Sequence, residues 1–423
     1  MLETLRNVWR VPELRKKVLY TFFMLLIYRL VSVIPVPGVD AAAFQSVMAN
    51  YDILDLMNMM TGSALSQMTL MAMGISPYIN ASIIMQLLTI AIPALERLQK
   101  EGGEEGKKKI TRITRYVTVG LAILQAIGII RGLGGSAALR AGYDSFLGYL
   151  SIGIIMAGGT ALAMWIGERI TKNGVGNGIS LIIFTGIVSS LFNYLVSTFL
   201  GIFQGAANAI VNFLISLIAI VVILVVVTIV DMSERRIAVQ YAKRVVGRKM
   251  YGGQSTHIPM KLLSVGVLPL IFAYSFMAFP GTIIAMFGTN TGAYQWWNTY
   301  MAQNSFWYIL VTTLLIIAFT YFYASISFNP QDIAKNIQQQ GGHIPGIRTG
   351  SKTVDYLART SKRLCLFAAL FLAVMNIIAS LLSTAFAIPM GASSVLIAVS
   401  VAIETVRQIE SQLVMRNYKG FLG

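Results

Sequence analysis

Apolar residues in this chain gather in long runs, not in the alternating or 3.6-residue stripes of a water-soluble fold. A helix crossing hydrocarbon needs about 20 mostly apolar residues. Ten stretches meet or approach that length: residues 18–34, 74–92, 116–130, 146–166, 179–200, 210–230, 262–279, 306–326, 364–382 and 393–403. The last is short and ends at Glu404, so its first turn is expected near Ala387. The pattern predicts an all-α polytopic membrane protein of about ten transmembrane helices. Five spans per half set two halves in opposite orientation, which permits an inverted repeat around a central pore. The halves are expected over 18–200 and 201–409, between an N-terminal arm (1–17) and a tail (410–423).

Two kinds of stretch depart from this rhythm. Residues 52–73 are Met-rich and interrupted by Thr61-Gly62-Ser63. They are too polar to face lipid, and broken backbone at membrane depth needs protein or water around it. A short, distorted helix filling a cavity is expected there. Residues 231–261 and 327–363 are long connections carrying Gly and Pro, well beyond ordinary helix links, and read as docking loops.

Charge orients the spans. Of 33 Lys and Arg residues, 30 lie in the arm, alternate connections and the tail. The opposite connections hold Arg131 and Arg140, and Arg29 lies inside the first span. The positive-inside rule then places both termini and the basic loops in the cytoplasm. A mean hydropathy of +0.69 with 56% apolar and 12% charged residues excludes an ordinary soluble domain. The net charge of +16 serves topology first, and beyond that suits anionic lipids or a polyanionic cytosolic partner. The single cysteine, Cys365, reads as an inert apolar residue. The first run ends at Pro35 and Pro37 without a small-residue cleavage site, which predicts a retained span.

Proton pumps, ion-coupled transporters and intramembrane proteases hold ionisable groups or metal ligands at membrane depth. Here Arg29 is the one charge within a span, late enough to snorkel or meet a polar neighbour, and His257 and His343 sit in the basic loops. No HExxH, P-loop or paired intramembrane carboxylates occur. The expectation is no enzyme, no cofactor and no metal. Ile75 and Ile79 follow Gly74, and Ile179 and Ile183 follow Gly176-Asn177-Gly178. Each pair shares a helix face at i, i+4 spacing. Ordinary helix packing explains such pairs; a ring of them would instead make a dewetted constriction that blocks ions without binding cargo.

Four segments, in order, resemble the SecY/Sec61-alpha family of protein-conducting channels, on its bacterial side. They are residues 73–88 (MGISPYINASIIMQLL); WIGE at 165–168 with GVGNGIS at 174–180; YAKR at 241–244 with QSTHIP at 254–259; and FNP at 328–330 with IPGIRTG at 344–350. Any one string is weak, whereas all four in register are specific. The resemblance implies a pore ring of Ile75, Ile79, Ile179, Ile183, Ile271 and Ile397. It implies a plug over 56–67, including Leu56, Met57, Met59, Met60, Leu65 and Gln67, and a lateral gate that includes Asn80, Gln125 and Ser275. The basic loops resemble docking sites for the ribosome and the ATPase SecA, through Lys243, Arg244, Arg248, Lys249 and Arg348. SecE and SecG are the implied membrane partners; signal peptides and nascent chains are the implied cargo, and the bacterial cytoplasmic membrane the implied location. Residues 132–143 are unlike the family, and the plug is Met-heavy where Phe is expected. A secondary transporter of a hydrophobic solute is the alternative. A lipid scramblase would need a hydrophilic groove that these spans lack.

Overall fold

A computed structural model describes residues 9–48, 55–131, 139–140, 142–203, 209–241, 244–246, 249–251, 255–263, 266, 268–286, 291–302, 305–386 and 392–419. The first half contains α1 (Pro12–Val31), α2 (Ala41–Met48), α3 (Asp55–Thr61), α4 (Ser76–Ala91), α5 (Pro93–Lys100), α6 (Gly103–Ile129), α7 (Phe146–Asn173) and α8 (Gly178–Phe203). The second contains α9 (Ala209–Met232), strands β1 (Glu234–Tyr241), β2 (Arg244–Val246), β3 (Lys249–Tyr251) and β4 (Ser255–Lys261), α10 (Leu268–Met286), α11 (Gly292–Tyr300), α12 (Phe306–Ser327), α13 (Pro330–Gln339), β5 (Gly342–His343), α14 (Ser351–Phe386) and α15 (Ala392–Lys419). Six helices are long and apolar enough to span a membrane, and the bent pair α4–α5 makes a seventh. With α1, α10 and α15 beside them, ten helices form the bundle among the described residues.

Local chemistry sets the helix starts. Ser145 Oγ and Ser305 Oγ each accept from a backbone N–H three residues on, at 3.1 Å, capping α7 and α12. Proline stands in the first turn of α1, α4, α5 and α13, where no intrahelical N–H is lost. Pro93 also breaks the second span: α4 and α5 meet at 104°.

Several helices outrun the apolar stretches that predicted them. α6 begins 13 residues before the expected residue 116, and α14 begins 13 before 364. At 36 residues, α14 is about 54 Å long, against about 30 Å of hydrocarbon. Lys, Arg, Glu and Gln are good helix formers, so the coil continues into water after the hydropathy signal has ended. α10 starts six residues later than expected. β4 runs up to Lys261, and just after it Leu262 N–H donates to Ser233 O at 3.0 Å. The expected start of the last span near Ala387, and residues 132–138 and 141 of the atypical segment, lie outside the described residues.

The two basic connections are not separate loops. β1 pairs antiparallel with β4 from Glu234↔Lys261 to Gln240↔Ser255, and its other edge pairs with β5 at Gln240↔His343. Ile237, Val239, Met260, Ala334, Ile337, Ile344 and Leu357 form one buried cluster beneath this sheet. The connections at 231–261 and 327–363 therefore share a single small core.

The bundle has two seams. α8 packs on α9 and α15, next to the covalent link between the halves. Across the molecule α10 packs on α4 and α6, with no chain connection there. Large apolar side chains such as Phe22 and Phe23 of α1 and Ile218 and Val222 of α9 are exposed on the outer face, as lipid contact requires.

Candidate functional site

The six isoleucines expected to ring a pore come from four elements of both halves. Ile75 caps α4, Ile79 follows one turn on, Ile183 comes from α8, Ile271 from α10 and Ile397 from α15. All five are buried in one cluster, and Ile179 packs against it half-buried. The side chains are branched and apolar, so they offer water no hydrogen-bond partner.

The Met-rich segment lies beside this cluster. α3 is one short helix, and the chain after it turns back through Gly62 and Ser63, at φ of +67° and +70°. Asn58 organises the turn: its carbonyl accepts from Ser63 N–H (2.8 Å) and Thr61 Oγ1 (3.0 Å), and its Oδ1 accepts from Ser66 N–H (2.9 Å). Met59, Met60 and Ala64 join the isoleucine cluster. Met57 and Leu65 join a second cluster with Met68, Ala126 and Ile152. Gln67 is exposed. Leu56 lies in α3, and its side chain is outside what is described.

Beyond residue 67 the chain is fixed in place. Val36 N–H donates to Met68 O and Leu70 N–H to Ile34 O, both at 2.9 Å. Residues 55–67 precede that backbone ladder and pack on α8 by close approach. A Cβ at Gly186 would collide with Met60 O, so only glycine admits α3 there. Ser190 Oγ donates to Met59 O at 3.2 Å, and Ser394 Oγ of α15 contacts Met59 Sδ at 3.7 Å.

The three residues expected at a lateral gate lie on α4, α6 and α10, the helices that meet at the unconnected seam. Asn80 on α4 and Gln125 on α6 are buried, and Ser275 on α10 is half-buried. Gln125 Oε1 has no hydrogen-bond partner among the described residues. A buried acceptor left without a partner costs stability where it sits. Nearby, Arg115 of α6 holds Glu168 of α7 by a bidentate pair at 2.8 and 2.7 Å.

On the sheet side, β2 and β3 form a hairpin with Val246↔Lys249 in register, which carries Arg244 and Lys249 at its ends. Lys243 and Arg248 lie outside the described residues. Arg348 is exposed between Gly346 and Gly350, at φ of +78° and +95°. Thr353 Oγ1 donates to its carbonyl at 3.1 Å, pinning the turn to the start of α14. Arg348 thus stands on the platform formed by the shared core, while β2 and β3 form a separate two-stranded sheet.

Three features escape a reading of the sequence: the shared core of the two connections, the glycine seat at Gly186, and the partner of Arg29. Arg29 Nη2 donates to Thr185 O of α8 at 2.7 Å. The alternation of Ile237 and Val239 with Arg236, Ala238 and Gln240 is a strand signal that could have revealed the first. The other two depend on residues far away in sequence.

The SecY family profile matches residues 69–406. The chain is 40% identical over 446 residues to "Protein translocase subunit SecY" of Streptomyces scabiei, and 40% over 435 residues to that of Bacillus subtilis (strain 168), with all of each chain covered. Among solved structures it resembles "The structure of a protein conducting channel" with a TM-score of 0.70 at 19% identity, covering 97% of each chain. A structure titled for the plug domain of SecY matches at 0.68 and 18% identity, again over 97% of each chain. Sec61 in a canine ribosome–channel complex matches at 0.65 and 18%, over 97% of each. Identity of this degree along the full length, joined to this helical arrangement, shows that the chain belongs to the SecY family.

Proposed function

We propose that this multi-pass membrane protein is the pore-forming subunit of a bacterial protein translocase, conducting unfolded polypeptides across the cytoplasmic membrane. The observation that carries this reading is the convergence of Ile75, Ile79, Ile183, Ile271 and Ile397 in one cluster, with Met59 and Met60 seated against it. An aliphatic ring with no fixed polar site suits a cargo of arbitrary side chains, and a displaceable segment suits a pore that must seal when idle. The plug is residues 56–67, ending where the ladder to 34–36 begins. Segments of about 20 apolar residues leave sideways through the seam between α10 and α4–α6 into lipid.

The charge bias supports an orientation with both termini and the sheet platform in the cytoplasm. There Lys243, Arg244, Arg248 and Lys249 face ribosomal RNA, whose phosphates attract basic side chains. Arg348 couples to SecA, and SecE and SecG complete the membrane complex. The chain itself performs no hydrolysis.

The test is transport in proteoliposomes holding this chain with SecE and SecG. With SecA and ATP, an unfolded secretory substrate becomes protease-protected. Saturable uptake of a small apolar solute without polypeptide protection would overturn the proposal.

A further inference from the structure

Arg29 is the one charged residue inside the first span, and its position is specific. It stands in the last turn of α1, half-buried. Its Nη2 donates to Thr185 O at 2.7 Å, so the acceptor is a backbone carbonyl and not a carboxylate. The guanidinium lies against Gly62: a Cβ there would collide with both Nη1 and Nη2. Gly62 directly follows the C-terminal residue of α3, where free carbonyls favour a cation. One guanidinium thus touches three elements: α1, α8 and the turn that ends α3.

That turn is also the strained part of the segment. Gly62 and Ser63 are consecutive left-handed residues, and Ser63 carries a side chain in that region. Backbone of this kind persists where its surroundings over-determine it. Among the described residues, α3 also meets α8 through the glycine approach at Gly186 and the Ser190–Met59 hydrogen bond, and Met59 and Met60 share a buried cluster with Ile183 and Ile187. Methionine packing is adaptable and sets position loosely. The planar, five-donor guanidinium is the one rigid cationic group at this interface among the described residues.

We propose that Arg29 is the latch of the plug: anchored on the Thr185 carbonyl, its guanidinium clamps Gly62 and holds α3 over the isoleucine ring. It is a positioning residue, acting through the plug and not on the cargo. When the plug leaves, the pore fills with water and Arg29 is hydrated, so release strands no charge in a dry site. This inference rests on the reading of residues 56–67 as a plug.

The experiment is resting ion conductance of the complex with SecE and SecG in planar bilayers. Deleting residues 56–67 is the control, and it raises the leak. Arg29→Met, which keeps an apolar span, raises the leak about tenfold, as a latch biasing a two-state equilibrium must. Arg29→Lys falls between, since an ammonium reaches the carbonyl but cannot set a second nitrogen against Gly62. In a Cys365→Ser background, an oxidised disulfide between Met59→Cys and Ser190→Cys restores the seal of the Arg29→Met variant. Failure of that lock to restore it means a damaged bundle and overturns the latch. Parental leak in Arg29→Met, with a leaking deletion control, also overturns the latch and leaves the plug standing. A silent deletion control overturns the plug reading itself.

Discussion

An isoleucine in the ring must exclude water without holding on to whatever passes. In the proposed ring, its branched side chain would fill the constriction by dispersion alone and give a moving chain no partner to detach from. Ile79 on α4 and Ile183 on α8 share the central cluster and are almost fully buried. Changing both to Gly is expected to wet the constriction and raise resting conductance, while changing both to Val costs about 1 kcal/mol each and keeps the seal. Planar-bilayer recordings on protein of verified fold check this, and unchanged conductance in the Gly pair removes these residues from the ring. The spacing of Ile75–Ile79 and Ile179–Ile183 beside glycine breaks is visible in the chain. Ile271 and Ile397 carry no local sign and enter only through resemblance. Gly186 reads as a routine glycine until Met60 O is found against it. Close approach depends on the partner, and the partner lies over a hundred residues away.

Helices and strands show a second limit of the pattern. Hydropathy marks the part of a helix that meets lipid, so the ten spans are legible while their extensions into water, such as the start of α14, are not. The sheet is legible in principle, since Ile237 and Val239 alternate with Arg236, Ala238 and Gln240. Its long Gly- and Pro-containing setting reads as loop instead. Pro259 is tolerated because β4 is an edge strand, in the order β4–β1–β5. Val239 is fully buried on the central strand. Val239→Asp places an unpaired charge in that small core, at a cost of about 4 kcal/mol or more. The platform is expected to open to limited proteolysis while the ten-helix bundle and its membrane insertion stay intact. If the bundle is lost as well, platform and bundle fold as one cooperative unit.

At the scale of the molecule, the two seams are unlike. The α8–α9 side is joined by the chain, which suits it to act as the hinge of the proposed gate. The α10 side has no chain connection to α4 and α6, which suits it to part in the proposed gate. The platform formed by β1, β4, β5, α13 and the start of α14 bridges several helices of the second half. A partner that pushes on the platform therefore moves α14 and, through α12, α10 at the mouth. Arg348 is well placed to receive that push, being exposed in a turn fixed by two glycines and the Thr353 hydrogen bond. Topology is a sum over 30 basic residues, so one reversal leaves orientation intact. Arg348→Glu at a buried partner contact opposes like charges and costs about 2–5 kcal/mol. SecA-driven protection of a secretory substrate is expected to collapse in the variant. Ribosome flotation with the same vesicles is expected to change little, because the residues proposed for ribosome contact, Arg244 and Lys249 among them, are left unchanged. Both assays run on one preparation, and normal SecA-driven transport in the variant would remove Arg348 from the coupling surface.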